Sequence, residues 1–495
     1  MNMNIKTDIN TDISSGINAD INTDIKTDKS NVIDADTNTG INNDNKKDAS
    51  ICGNELKRSL NLVIIAITMG MAFFTVMGGA PLAGFSRALG AGDFLYSLIM
   101  AMTVIGGIVQ IVASYFLENT GKRKFIFMAF GFIHRLLWIP VALIPLIVPE
   151  SSGSFRIWLI IVLIAISSVS NSVAAVSFSS WMGSLVPMDI RGRFFSKRAM
   201  ISTVTSAVTA LAAGKFLDFV PGFKGYAIVF IVVAILGVGD IICFKWVYDP
   251  PMRVPEKKTP FLKLSLEPLR NKNYMLFICY IAFWSFGVNI AGPFFIVYML
   301  ENLKMSFFII SLFTQFTANI STIIFIRYWG KIIDRYGNKP VMAICCSIII
   351  SLPFLWLFVT PSNYFIILAI NFIGGMLWPG YELTAMNLSI WLAPEKNRSI
   401  YLAVNTLIIS FFGIAVAYIC GGAFKQLADQ VLSSGNAPFI FGRRLNSFHL
   451  LFACSGILRL LSMVLFFRKF REERSNGVNQ IVNDFKNSLK AAVFK

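Results

Sequence analysis

The chain has 495 residues, of which 55% are hydrophobic and only 14% charged, and 45 of them are Phe. A soluble domain keeps about a quarter of its residues charged, so this composition excludes a soluble globular protein. The net charge of +17 would suggest nucleic acid in a soluble chain, but the bases cluster in short connectors between apolar runs, the pattern of membrane topology, and no nucleic-acid partner is expected.

The seven Cys (Cys52, Cys243, Cys279, Cys345, Cys346, Cys420 and Cys454) lie mostly inside apolar runs, without CxxC spacing. They read as small membrane hydrophobes, not as a disulfide framework. With His134 and His449 as the only histidines, no metal site is expected, and no cofactor either.

Residues 1–55 repeat short units such as Thr7-Asp8-Ile9-Asn10 and Asn22-Thr23-Asp24-Ile25. Their side chains compete with the helical backbone, and one Ile per unit buries too little to offset ordering entropy, so a disordered cytoplasmic tail is expected. The tail has no early apolar segment of the kind a cleaved signal carries.

From Ser59 onward, twelve runs are long enough for the ~20 residues that a bilayer core requires. They fall at roughly 59–81, 94–117, 125–148, 157–182, 199–218, 226–248, 274–299, 307–327, 340–360, 364–392, 400–424 and 448–468, numbered here as spans 1 to 12. Connectors on one side carry Lys122, Arg123, Lys124, Arg191, Arg193, Lys331, Arg335 and Lys339, and the 249–272 loop adds six more bases. The other side offers Arg87, Lys224, Lys304 and little else before Arg443. The positive-inside rule then places both termini in the cytoplasm. Residues 471–495 read either as a solvated tail or as an amphipathic helix on the membrane.

Two halves echo one another. Pro81 corresponds to Pro293, Glu118 to Asp334, and Pro187 to Pro394, at offsets of 212, 216 and 207 residues. A bundle at 56–248, a linker at 249–272 and a second bundle at 273–470 follow. Rocking two such repeats against one another exposes a midplane cavity to each side in turn.

Gly330-Lys331-Ile332-Ile333-Asp334-Arg335-Tyr336-Gly337-Asn338-Lys339, echoed loosely at Ser114 to Lys124, resembles the signature loop of the major facilitator superfamily, and the resemblance covers about 56–470. It implies an all-α membrane protein with twelve transmembrane helices in two pseudo-symmetric six-helix bundles. It also implies a conformational latch at the cytoplasmic ends, carried by Asp334, Arg335, Gly330, Gly337 and Lys339 in the second half and by Glu118, Gly121, Lys122 and Arg123 in the first. The Pro187-to-Arg191 and Pro394-to-Arg398 turns resemble others in the family. Ser114 and Asn119 depart from the pattern, which makes the first latch the weaker. In physical terms, a carboxylate near a helix N-terminus gains roughly 0.3 to 1 kcal/mol, and Asp334 would face the start of span 5 and Glu118 the start of span 11. The plainer reading is that these bases only set topology.

Glu382 is the most informative charge inside a span, because an acid there costs several kcal/mol unless it faces a cavity or a partner. At ~100° per residue, Asn371, Gly375, Trp378 and Glu382 share one face. Gln315 and Asn319 in span 8, Asn289 in span 7, Gln110 in span 2 and Asn171 in span 4 complete the candidate substrate or coupling residues. Each taken singly also fits interhelical packing, and Glu382 fits a structural carboxylate as well as a substrate or proton site. His134, Arg135 and Arg459 sit in spans that the resemblance makes peripheral. They read as structural, with Asp240 the expected partner of Arg135 unless Lys245 takes it.

These features converge on a secondary transporter, not an enzyme, moving a small solute through the cytoplasmic (inner) membrane by alternating access, with protons or another ion as a coupling partner. Lipid surrounds it, and a monomer is expected. A non-transporting receptor or assembly protein on the same fold is the alternative, with a membrane-embedded enzyme a more distant one.

Overall fold

The computed structural model describes residues 43–251, 267–395, 398–433, 439–440, 443–444 and 445–472. The expected tail over 1–42, most of the 249–272 linker and the tail beyond 472 lie outside the described residues. The first helix begins at Asn43, ahead of the expected boundary at 55.

Among the described residues, eleven helices are long and apolar enough to cross a membrane, and Asp93–Val109 is a shorter apolar helix that continues as Gln110–Thr120. Together they occupy the twelve expected positions. Among the described residues the only strand pairing joins Phe439–Ile440 to Arg443–Arg444 ahead of span 12.

Spans 1 and 7 are broken alike. Span 1 stops at Gly78 and resumes as Ala80–Ala88, with Pro81 in the first turn. Span 7 runs over Lys272–Asn289 and resumes after Pro293 as Phe294–Glu301. Proline supplies no N–H to the preceding turn, so both breaks follow from the sequence. The pairing of Pro81 with Pro293 is thus a shared structural feature of the two halves.

The Gly330-to-Pro340 stretch is mostly helix. Span 8 runs unbroken over Phe307–Tyr336, and the turn is Gly337 alone, at φ +91, a conformation that suits glycine. Gly121, at φ +64, ends span 2 in the same way.

Close helix approach is set by small residues. A Cβ on Gly106 of span 2 would stand 2.1 Å from the Ser168 carbonyl oxygen of span 4, and one on Gly375 of span 10 would stand 2.4 Å from that of Ala318 in span 8. These are matching contacts in the two halves, and they keep the second and fourth helices of each bundle in backbone contact.

Candidate functional site

Three neighbours fix the rotation of span 10 (Ile366–Trp391). Gly375 backs onto Ala318 of span 8, Gly380 meets Trp329 of span 8 and Cys345 of span 9, and the Tyr381 ring lies 5.5 Å from that of Trp284 in span 7. The remaining arc, between spans 7 and 8 and away from span 9, holds Asn371, Trp378 and Glu382. Glu382 is exposed there, while Asn371 and Trp378 are half-buried. Of the expected stripe, Asn371, Trp378 and Glu382 share this arc, while Gly375 is buried against span 8.

The other candidates are less uniform. Gln315 is exposed and sits in a widened, π-helical turn, Leu312–Phe316, where span 8 departs from regular winding. Asn319 donates to the Thr203 carbonyl of span 5 at 3.4 Å, reaching the other half. The Asn289 amide donates to the carbonyls of Ser285 and Gly413, which is a packing role between spans 7 and 11. Gln110 is half-buried at the start of the second segment of span 2. Asn171 lines a pocket inside the first half.

Several latch residues bind within their own half. Arg123 is 1% exposed. Its Nε stands 3.0 Å from Asp249 Oδ1 and its Nη1 2.8 Å from Ser184 Oγ, which ties span 3 to the chain after span 6. The counterpart in the second half is Glu472, whose carboxylate accepts from the backbone N–H groups of Asn338 (3.2 Å) and Lys339 (2.7 Å) at the start of span 9. Lys339 Nζ donates to the Phe470 carbonyl. Arg191 caps the end of span 4 through the Gly183 and Val186 carbonyls.

Lys122 is exposed, Arg398 is half-buried, and Gly330 has open space around it. The Arg335 guanidinium stands over its own neighbour Tyr336 at 5.1 Å. Asp334 is exposed and pairs with no described residue, so the expected seat at the start of span 5 is not taken in this conformation. The Glu118 side chain lies outside the described residues.

The charged contacts between the halves lie at the opposite end, among residues that sequence alone marks only as topology signals or does not mark at all. Arg87, on the resumed segment of span 1, donates to both Glu301 oxygens on the resumed segment of span 7, with Nη2–Oε2 at 3.0 Å, and to Asp93 Oδ1 at 3.0 Å. Lys425 of span 11 bridges Asp93 and Asp429, both at 2.8 Å. Asp218 at the end of span 5 accepts from the first N–H groups of span 8, Phe307 at 2.8 Å and Phe308 at 2.9 Å. Tyr96 donates to the Pro293 carbonyl at 2.9 Å.

The cross-half ion pairs Arg87–Glu301 and Lys425–Asp93 both lie at this end. Asp218 thus sits at a helix start of the other half, an arrangement expected of Asp334 and Glu118 but found here at the opposite end with other residues. One sequence signal lies here: Lys425 follows directly on the span 11 run, with Asp429 four residues on, a spacing that pairs opposite charges along a helix.

Arg135 pairs with Asp240 at 2.9 Å, both side chains about 5% exposed, and Lys245 is not that partner. The guanidinium also lies 4.4 Å from the Phe73 ring centre. Arg459 donates to the Ile349 carbonyl at 3.2 Å, in keeping with a structural role.

Two six-helix halves, packed at one end around cross-half ion pairs and carrying a polar face toward the middle, define a multi-pass membrane carrier of the alternating-access type. The chain belongs to the Major Facilitator Superfamily, whose family model matches residues 62–418 and, in a second match, 279–492. No curated protein matches the chain in sequence.

Among solved structures, a nucleoside transporter, NupG, superposes with a TM-score of 0.65 at 13% identity, over 84% of this chain and 100% of its own. A bacterial homologue of the human lysosomal transporter Spinster, inward-facing and unoccupied, gives 0.63 at 13% identity over 85% and 99%. A D-xylose–proton symporter gives 0.62 at 15% identity over 84% and 98%. At these identities the likeness is one of fold.

Proposed function

We propose that this protein is a secondary transporter that carries a small solute through the cytoplasmic membrane as a monomer, with both termini and the 118–124 and 330–340 loops in the cytoplasm. The observation that carries the reading is the unequal state of the two ends. The end holding Arg87, Glu301, Asp93 and Lys425 is pinned shut by cross-half pairs, while Asp334 at the other end is exposed and has no partner among the described residues. A two-state carrier caught open toward its signature loops has this appearance, and ligands then act by shifting the balance between the two states.

In the cycle, closure at the loop end engages Asp334 and Arg335 as the Lys425 and Arg87 pairs release. Glu382, on the exposed arc of span 10, is the proposed substrate or proton-coupling carboxylate, with Trp378 and Asn371 beside it. The test is uptake and efflux of labelled solutes in proteoliposomes, with and without an imposed pH gradient. Gradient-dependent accumulation supports the coupled transporter. Saturable binding without movement of any solute supports the receptor reading instead.

A further inference from the structure

A pocket of about 250 Å³ lies within the first half, separate from the Glu382 face. At about 30 Å³ per water it holds roughly eight waters, the size of a small organic solute. Its walls include Phe74, Phe127, Phe178 and Phe244, with Asn171 and Ser202 as neutral polar groups.

Three ionised groups line it. Arg135 and Asp240 neutralise one another at 2.9 Å, and the space for them is built into the helices. A Cβ on Gly70 would stand 2.4 Å from Asp240 Oδ2, and one on Gly237 would stand 2.6 Å from Arg135 Cδ. The third group, Arg198, has no carboxylate partner among the described residues. Its guanidinium lies 5.0 Å from the Phe178 ring centre and 5.8 Å from that of Phe195. The pocket therefore carries one uncompensated positive charge against aromatic walls.

A second pocket of about 310 Å³ shares Phe178 and Arg198 with the first and reaches Gly183 and Arg191 at the loop end.

We propose that this pocket is the binding site for a small aromatic monocarboxylate, with its carboxylate on Arg198 and its ring among Phe74, Phe127, Phe178 and Phe244. A planar guanidinium matches a carboxylate by paired hydrogen bonds. One anionic charge balances the site, whereas a dianionic phosphate would leave a net negative charge in an apolar pocket and an amine would add a second positive one. Offset and edge-on ring packing accounts for the aromatic body.

The proposal rests on the transporter reading for its physiological sense, but binding to the purified full-length protein tests it alone. The probes are phenylacetate and benzoate, with phenylacetamide and benzylamine as neutral and cationic counterparts, measured by calorimetry in detergent. A carboxylate should bind at least about tenfold more tightly than its amide, the difference that a lost charged hydrogen bond produces.

Arg198→Gln should remove that preference. Asn171→Asp, which keeps Arg198 and adds a negative charge, should weaken the carboxylate by a similar factor and leave phenylacetamide unchanged. Equal affinity for acid and amide, an unaltered preference in either variant, or no saturable binding of either acid up to about 10 mM, beyond the millimolar range of weak sites, overturns the proposal. Carboxylate binding without uptake would uphold the pocket and contradict the transporter. Uptake of other solutes without carboxylate binding would do the reverse.

Discussion

Lys425 Nζ of span 11 stands 2.8 Å from Asp93 Oδ2 at the start of span 2, with the two side chains 5% and 11% exposed. One half of the molecule is thus tied to the other by an ion pair inside packed structure. Asp93 also accepts from Arg87, and Lys425 also donates to Asp429, so removing either residue of the pair unbalances a four-charge network without leaving any member wholly alone.

Lys425→Met should destabilise the closed end by about 1.5 to 3 kcal/mol, the worth of charge-assisted hydrogen bonds, because Asp93 keeps Arg87 and Asp429 is 48% exposed. A cysteine in place of Ser97, a buried residue on span 2 facing span 11, should become reactive to a membrane-impermeant thiol reagent in that background. Adding Asp93→Asn should recover part of the loss, because it removes the surplus negative charge.

Asp218→Asn should act in the same direction but less strongly. It weakens an exposed carboxylate held at the start of span 8, worth about 0.3 to 1 kcal/mol. Glu301→Gln should cost a similar amount, about 0.2 to 1 kcal/mol, because Glu301 is 37% exposed. Thiol reactivity higher in Lys425→Met than in either of the other two is the check.

Gly214 of span 5 lies against the backbone of span 8, where an added Cβ would meet the Phe307 carbonyl oxygen at 2.7 Å. Gly214→Val should hold the halves apart at this end, at a cost of about 1 to 3 kcal/mol to the closed state. Gly192, with open space around it at the loop end of the same span, should accept Ala without such an effect. Thermal unfolding and thiol reactivity of the two variants separate the cases.

Asp334→Asn and Glu382→Gln should part company in transport. The first removes an exposed carboxylate that pairs with no described residue here, so thermal stability should stay within about 0.5 kcal/mol of wild type. Its transport rate should fall, because the opposite state loses its latch. The second should keep alternation and lose the dependence of uptake on pH. Unchanged uptake and pH dependence in Glu382→Gln would remove that residue from the coupling site.

The spans were legible because a bilayer demands length and apolarity, and little else in a sequence meets both. Their ends were less so. Span 5 begins at Met188 and not near 199, because Arg191, Arg193 and Lys197 sit in helical turns that hydropathy reads as a connector. Span 11 continues to Ser433 because Lys425 pairs both with Asp429 one turn on and with Asp93 of span 2.

The same limit hid the closed end. Arg87, Asp93, Glu301 and Lys425 are scattered over four spans, and only the packing of two halves brings them together. The Glu382 face was readable because it repeats along a single helix. The pocket beside Arg198 draws on five helices, and no spacing in the chain announces it.

The central claim is that the two ends open and close in opposition. It is tested most directly by electron-electron distance measurements on two labelled pairs in lipid, Lys224 with Asn302 at the closed end and Lys122 with Lys331 at the loop end, all four exposed. In the Lys425→Met background the first distance should lengthen as the second shortens, each with a population of two states. Distances that stay fixed, or that lengthen together, would contradict the account.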